Sequence, residues 1–282
     1  MAKNYYTLVA GLREYTLGAD QKNFDARAII DDIREQLSGK DEGALELLYN
    51  YYDIENIVNM KAGRSQFSAI GNFTREQLEE EIKEPVRLPK YIGNVIRAYA
   101  DPENADFEEI DREKAFEKSL FEAYYKELGR SRCKFLRSWG EFDRNLRNLS
   151  AAFTARRLGR TVAEALVGEG YVVDTISRSS AADFGLKGEL EYIDQVVAAI
   201  AEEGNLLDKE NKIDHIRWEM ADELTTFDYF NINTILAYLV KVNIVHRWVS
   251  LDPKAGREMF EKLLASLSSE QIIEEAEIQY AK

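Results

Sequence analysis

Three carboxylates on one predicted helix have a spacing that magnesium-dependent enzymes use. The run IIDDIREQL places Asp31, Asp32 and Glu35 close together. All-helical diphosphate enzymes hold Mg²⁺ on their substrate with paired acids of this kind, because hard oxygen ligands suit that ion. Such an enzyme also needs a second acidic motif on a facing helix, and the sequence contains no well-spaced candidate. We therefore interpret the three acids as a solvated helix face and keep a Mg²⁺-dependent diphosphate enzyme as the remote alternative.

The two histidines give a second place to look for a metal site. The run HIRWE puts His215 and Glu219 four residues apart, on one face of a helix. No Glu-x-x-His or His-Glu-x-x-His run completes a ligand set. The single cysteine, Cys133, excludes an intrachain disulfide and a cysteine-based zinc site. The sequence therefore predicts no catalytic residue, no metal site and no cofactor.

Asparagines recur along the chain in a helical pattern. NIVNM contains Asn56 and Asn59, NLRNL contains Asn145 and Asn148, and NIVHR contains Asn243 with a histidine in the second place. The first residues of these runs are 89 and 98 residues apart, which indicates an internal repeat. We predict three helical repeats, at 1–100, 101–188 and 189–282, within one compact domain.

These asparagines need a physical reason, because asparagine is a poor helix former. Residues three apart lie on one helix face, and a carboxamide both donates and accepts hydrogen bonds. Such side chains can satisfy the free backbone groups at the end of a neighbouring helix. We predict that they fasten the helices to one another and do not bind a ligand.

Helical periodicity runs through nearly the whole chain, which has only four prolines. Thr74–Gln77 reads as a capping box, and Gly63 follows a long apolar-periodic stretch as a stop signal. Asp252–Pro253 reads as the start of a C-terminal helix. YVVDTI, residues 171–176, is the one strand-like run. The predicted class is all-α.

Charge is spread unevenly over the chain. The net charge is −14, which argues against nucleic-acid binding because that needs a basic face. Residues 130–160 nevertheless carry nine basic side chains against two acidic ones. We predict that this segment docks on an acidic partner through Arg144, Arg147, Arg156, Arg157 and Arg160. The alternative is pairing within the chain to residues 101–122, which carry nine acidic and three basic side chains.

No stretch approaches 18 consecutive apolar residues, so the sequence predicts no membrane span. The start, MAKNYYTLVAGLREY, lacks the basic and apolar regions of a secretory signal. Together with the lone cysteine, these features predict a reduced, cytoplasmic location.

The repeats resemble a known family. YYDIENIVNMKAG, FDRNLRNL and NINTILAYLVKVNIVHRWVSLDPKAGREMFEKLL are similar to the aromatic-Asp and Asn-aliphatic helices of the C subunits of V-type and A-type ATPases, which are named d subunits in the eukaryotic V-ATPases. The opening NYYTLVAGL resembles a divergent bacterial branch found with bacterial V-type ATPases.

The resemblance implies a funnel-like helical protein with pseudo-threefold symmetry. Such a protein sits between the central-shaft subunits and the membrane-embedded proteolipid ring of a rotary ATPase. It transmits torque, is not catalytic, and is peripheral to the membrane through the complex. The alternative is a helical-repeat scaffold for another complex, in which the repeats stack into an open solenoid.

Overall fold

The computed structural model describes residues 4–17, 24–101, 103, 107, 109–201 and 206–251, and it confirms the all-α class for these residues. The predicted helix start at Asp252–Pro253 lies outside them. The described residues form twelve helices: α1 (Tyr6–Gly11), α2 (Ala26–Gln36), α3 (Gly39–Lys61), α4 (Arg75–Lys83), α5 (Lys90–Ala100), α6 (Phe116–Arg130), α7 (Lys134–Arg157), α8 (Val162–Ala165), α9 (Tyr171–Arg178), α10 (Ile193–Ala201), α11 (Leu206–Glu223) and α12 (Ile232–Leu251).

The strand-like reading of residues 171–176 is wrong, because this run forms helix α9. Its β-branched residues favour a strand locally. In the structure Val173 and Ile176 are buried while Tyr171 and Asp174 are exposed, which is the three-residue period of an amphipathic helix. Packing of that apolar face against α7 and α8 overrides the local preference.

A glycine ends α3 as predicted, and a second glycine ends α7 in the same way. Gly63 after α3 and Gly159 after α7 have φ of 68° and 63°, a left-handed conformation that suits glycine. In both places the following arginine, Arg64 or Arg160, donates its backbone N–H to a carbonyl five residues earlier, at 2.9 Å. The capping box at the start of α4 is also present.

The helices of the three predicted repeats pack against one another in a cyclic order. The longest helix of each repeat is α3, α7 or α12. Helix α6 packs on α3, α10 packs on α7, and α2 packs on α12, so an early helix of each repeat contacts the long helix of the one before it in the cycle. Helix α12 also contacts α3 and α7. The last repeat thus returns to the first, whereas the units of an open solenoid contact only their neighbours.

Hydrogen bonds reinforce this closure between the two ends of the described chain. The Tyr49 hydroxyl on α3 donates to Asn243 Oδ1 on α12 at 3.0 Å, and the Tyr5 backbone N–H donates to the Phe230 carbonyl. The buried apolar side chains form one cluster that runs from Tyr5 to Ile244. The repeat boundaries at 100 and 188 and the funnel shape remain predictions.

We expect Gly140→Ala to destabilise the protein, because α6 and α7 approach closely at this glycine. A Cβ at this position would lie 2.8 Å from Leu128 Cβ and Cδ1. The loss should be about 1–3 kcal/mol of unfolding free energy in urea titrations. Gly129→Ala is the control, because it meets nothing within 4 Å and removes a poor helix former. Equal effects of the two changes would contradict the close-packing argument.

Candidate functional site

A buried carboxylate on α11, Asp214, contacts two arginines and a tryptophan. Asp214 is 1% exposed and accepts from Arg217 Nη1 at 2.9 Å. It also accepts from Arg247 Nη1 at 3.1 Å and from Trp248 Nε1 at 2.9 Å, both on α12. Its two oxygens are thus satisfied by two guanidinium groups and an indole, so the carboxylate ties α11 to α12.

Arg217 extends this network to α7. Its Nε lies 3.7 Å from Asp143 Oδ1, and Asp143 Oδ2 accepts from the Tyr125 hydroxyl at 2.7 Å. Burial by itself would lower the pKa of the Arg217 guanidinium, but Asp143 and Asp214 outweigh it and raise that pKa. The Arg217 side chain therefore stays cationic. A series of polar side-chain contacts connects α12 to α11, α11 to α7 and α7 to α6.

Arg147, one helical turn after Asp143 on α7, interacts electrostatically with Asp143 and reaches α3. Its Nη1 lies 3.4 Å from the Tyr51 hydroxyl, its Nη2 lies 3.3 Å from Glu117 Oε1, and its guanidinium lies 3.8 Å from the centre of the Phe121 ring. Burial raises the pKa of the nearby Glu55 carboxyl on α3. Arg147 is one of the five predicted docking residues. Within the described residues it forms an ion pair with Glu117, as the alternative of pairing to residues 101–122 predicts.

We call the connected residues the central polar cluster: Tyr51, Asp143, Arg147, Asp214, Arg217 and Arg247. The side chains of Asp143, Arg217, Arg147 and Arg247 are 15%, 23%, 28% and 40% exposed, so the cluster is recessed and still reached by solvent. Each carboxylate faces a guanidinium or a hydroxyl, which leaves neither as an obvious general base. The arrangement can hold five helices, α3, α6, α7, α11 and α12, in fixed positions. It also forms a recessed charged surface.

Sequence reasoning missed most of this cluster. Asp214 and Arg217 lie in a helix with many exposed charges, and their three-residue spacing looks like an ordinary surface ion pair. Whether such a pair is solvated or buried depends on which helices pack over it. The polar position among the apolar residues Ile213 and Ile216 is the one signal that pointed inward.

Two of the predicted asparagines hold connecting segments in the same way. Asn56 on α3 accepts from the Ser68 N–H at 2.7 Å and donates to the Ser68 carbonyl at 2.9 Å. Asn148 on α7 accepts from the Val167 N–H at 2.8 Å and donates to the Val167 carbonyl at 2.9 Å. Each carboxamide satisfies both backbone groups of one residue in the segment that follows its own helix.

The other three asparagines differ among themselves. Asn145 is buried against the Tyr192 hydroxyl. Asn243 is buried and accepts from Tyr49. Asn59 is half-buried and accepts from Arg64 Nη1 at 3.3 Å. The hydrogen bonds match Asn56 with Asn148, 92 residues apart, whereas the sequence pattern matched it with Asn145.

The predicted basic docking residues do not form one surface. Arg156 donates to the carbonyls of Ser179 and Ala181 and stacks 3.7 Å from the Phe184 ring centre. Arg144 is partly buried, and its side chain packs where a Cβ of Gly168 would lie. Arg157 and Arg160, at the end of α7, are exposed and form no ion pair within the described residues.

The candidate metal ligands lie on exposed helix faces. On α2, Asp31 pairs with Arg27 at 2.9 Å, and Asp32 and Glu35 are exposed. His215 and Glu219 border a groove of about 390 Å³ between α10 and α11, where His215 Nδ1 lies 2.8 Å from the Asn211 carbonyl. Across the described ranges no three histidine, cysteine or acidic residues are grouped to hold a metal ion.

Over the described residues, the fold and the central polar cluster define an all-α arrangement closed around partly buried ion pairs. The chain belongs to the family described as "Protein of unknown function (DUF2764)", whose model matches residues 1–271. No curated protein and no solved structure matches it. No helix among the described residues is long and apolar enough to cross a membrane.

We expect Asn56→Ala and Asn148→Ala each to lower the free energy of unfolding by about 1–3 kcal/mol, because each leaves the backbone N–H and carbonyl of one residue unpaired. Those groups belong to the partly buried Ser68 and the buried Val167. Asn59→Ala is the control, since its partner Arg64 is exposed, and its effect should be near zero. Thermal and urea unfolding measure all three. A loss from Asn59→Ala equal to the others would show that the backbone contacts do not matter.

Asp214→Ala should cost about 3–5 kcal/mol of unfolding free energy, because it leaves Arg217 partly buried without its nearest carboxylate. Asp222→Ala is the matched control. Asp222 also pairs with a basic residue, Lys241, but its side chain is 58% exposed. Its removal should cost at most about 1 kcal/mol. Similar small losses in both variants would refute the claim that the cluster fastens the helices.

Proposed function

We propose that the protein is a non-catalytic central-stalk component of a V/A-type rotary ATPase, coupling the rotor shaft to the membrane proteolipid ring. The observation that carries the proposal is the closed packing of α2 on α12, α6 on α3 and α10 on α7. A component that transmits torque must not bend between its attachments. A closed set of helices resists bending better than an open arc, since each group is held on two sides.

The matched features of α3 and α7 support the same proposal. Both helices end at a left-handed glycine, and both hold their following segment by one buried asparagine. Divergent copies of one helical unit are what the resemblance to this ATPase family implies. The helix-terminating glycines and the asparagine contacts support the proposal that α3 and α7 are such copies.

The end of α7 is the surface that we propose for docking to an acidic partner. Arg157 and Arg160 are exposed there and unpaired within the described ranges. Opposite charge on a shaft or ring protein would steer association over a distance of about 10 Å at ordinary ionic strength. A stalk component of this kind would be cytoplasmic and peripheral to the membrane through the complex.

The alternative is a scaffold for some other complex. The contacts between α12 and both α2 and α3 disfavour the open solenoid form of that proposal, because its binding surface would be the concave side of an arc. A closed scaffold for another complex differs from a stalk component in the proteins that it binds, so identifying its partners distinguishes the two proposals.

We expect the tagged protein, purified gently from its native membranes, to bring with it ATPase head and shaft subunits and a proteolipid, identified by mass spectrometry. The double variant Arg157→Glu/Arg160→Glu should reduce this recovery strongly at low salt. It leaves Arg156 in place, because that side chain holds the segment after α9.

The control is Arg64→Glu/Lys83→Glu, which makes the same charge change at two exposed positions on other elements. Recovery of the ATPase subunits should be unchanged in the control. A set of unrelated partners in the wild-type sample would contradict the stalk proposal. ATPase subunits recovered equally by both variants would leave the stalk proposal standing and refute the docking surface.

A further inference from the structure

A polar cleft of about 650 Å³ lies between the first repeat and the end of α6, and none of its lining residues belongs to the central polar cluster. It is bordered by the end of α2, the first half of α3, residues 72 and 73, the start of α5 and the end of α6. This volume is in the range of small-molecule sites. It is larger than a single inorganic anion needs, so a molecule of several functional groups would be required to fill it.

The floor of the cleft is a hydrogen-bonded set of side chains that holds its shape. Asn72 Nδ2 lies 2.9 Å from Asp53 Oδ2 and from the Glu46 carbonyl, and the Asn50 carboxamide packs beside it. The Phe73 N–H donates to Asp53 Oδ1 at 3.1 Å. Asp53 and Asn50 are buried, and a Cβ at Gly71 would lie 2.6 Å from Asp53 Oδ1, so the loop fits tightly over the carboxylate.

One wall is fixed by a second buried carboxylate. Glu81 accepts from the N–H groups of Val86, Arg87 and Leu88 at 2.8, 2.8 and 3.0 Å, and from Arg87 Nε at 2.9 Å. Burial acts to raise the pKa of Glu81, but these donors outweigh it and lower that pKa. The segment that leads into α5 is therefore held firmly, and it places the first turn of α5 in the cleft wall.

Three cations along this cleft form no ion pair within the described residues. They are Arg34, Lys90 and Arg130. Arg34 Nη2 donates to Asn72 Oδ1 at 2.9 Å, while the buried Arg34 Nε finds no hydrogen-bond partner there. Arg87, in contrast, is neutralised by Glu80 and Glu81.

Glu46 and Glu127 line the cleft and Asp53 lies in its floor, so these three carboxylates balance Arg34, Lys90 and Arg130 in formal charge. Asp53 is already engaged by Asn72 and the Phe73 N–H, whereas the three cations form no ion pair within the described residues. The first turn of α5 adds the positive end of a helix dipole, which favours anions. Tyr91 and Phe73 supply aromatic walls, and Asn94 supplies an amide that can bind a neutral polar group.

We propose that this cleft binds a small organic phosphate. The phosphate lies among Arg34, Lys90, Arg130 and the start of α5, and the remainder of the molecule lies against Tyr91, Phe73 and Asn94. A phosphate accepts several charge-assisted hydrogen bonds at once, which suits cations supplied by three separate helices. This site is independent of the stalk proposal, because its residues lie on other elements than the end of α7.

The test is calorimetric titration of the purified full chain with AMP, glucose 6-phosphate and inorganic phosphate. We expect AMP or glucose 6-phosphate to bind more tightly than inorganic phosphate, because only they fill the cleft. Lys90→Met should weaken that binding at least about tenfold. Lys90 is exposed, so its replacement leaves the fold intact.

Lys83→Met is the matched control, an exposed lysine shortly before Lys90 that does not line the cleft. It should bind the phosphates as the wild type does. Arg34→Met should also weaken binding, and its unfolding curve shows whether the fold persists. Failure of both organic phosphates to bind, or equal binding by the Lys83→Met and Lys90→Met variants, would overturn the proposal.

Discussion

The packing of α12 against α2, α3, α7 and α11 is the constraint on which the rest of the structure depends. The apolar face of α12 supplies the stability, since burial of apolar surface is the dominant favourable term in folding. The central polar cluster fixes the positions of the helices relative to one another. A buried ion pair adds little net stability, but a helix shifted out of place would leave Asp214 or Arg217 unpaired at a cost of several kcal/mol.

The asparagines fix the positions of the connecting segments, as the central polar cluster fixes the positions of the helices. Asn56 and Asn148 lie on buried faces that could have been wholly apolar, and each holds one residue of the chain that leaves its helix. The intervals between matched features are 89 residues in the sequence pattern, 92 in the hydrogen bonds and 96 at the terminal glycines. The intervals differ by three and by four residues, each about one helical turn.

The surfaces that remain available lie on separate parts of the molecule. Arg157 ends α7 and Arg160 follows it. The polar cleft lies between the first repeat and the end of α6 and is shaped by Asn72, Asp53 and Glu81. Buried carboxylates thus serve as fixed acceptors for backbone and side-chain donors in the first repeat and at the centre. Rigid loops follow, and a rigid loop can present cations to a ligand with little loss of entropy on binding.

The sequence by itself determined the helical class, the stop at Gly63, the capping box and the recurrence of asparagines at helical spacing, because these depend on neighbours within a few turns of one chain segment. The sequence did not determine the structure of residues 171–176. A short run of β-branched side chains fits a strand or a helix until its packing face is known. Only the tertiary structure decided which charges are buried. Asp214, Asp143 and Arg147 look like surface residues in the sequence. They become the centre of the fold because helices distant in the chain cover them, and no local pattern records which distant helix that will be.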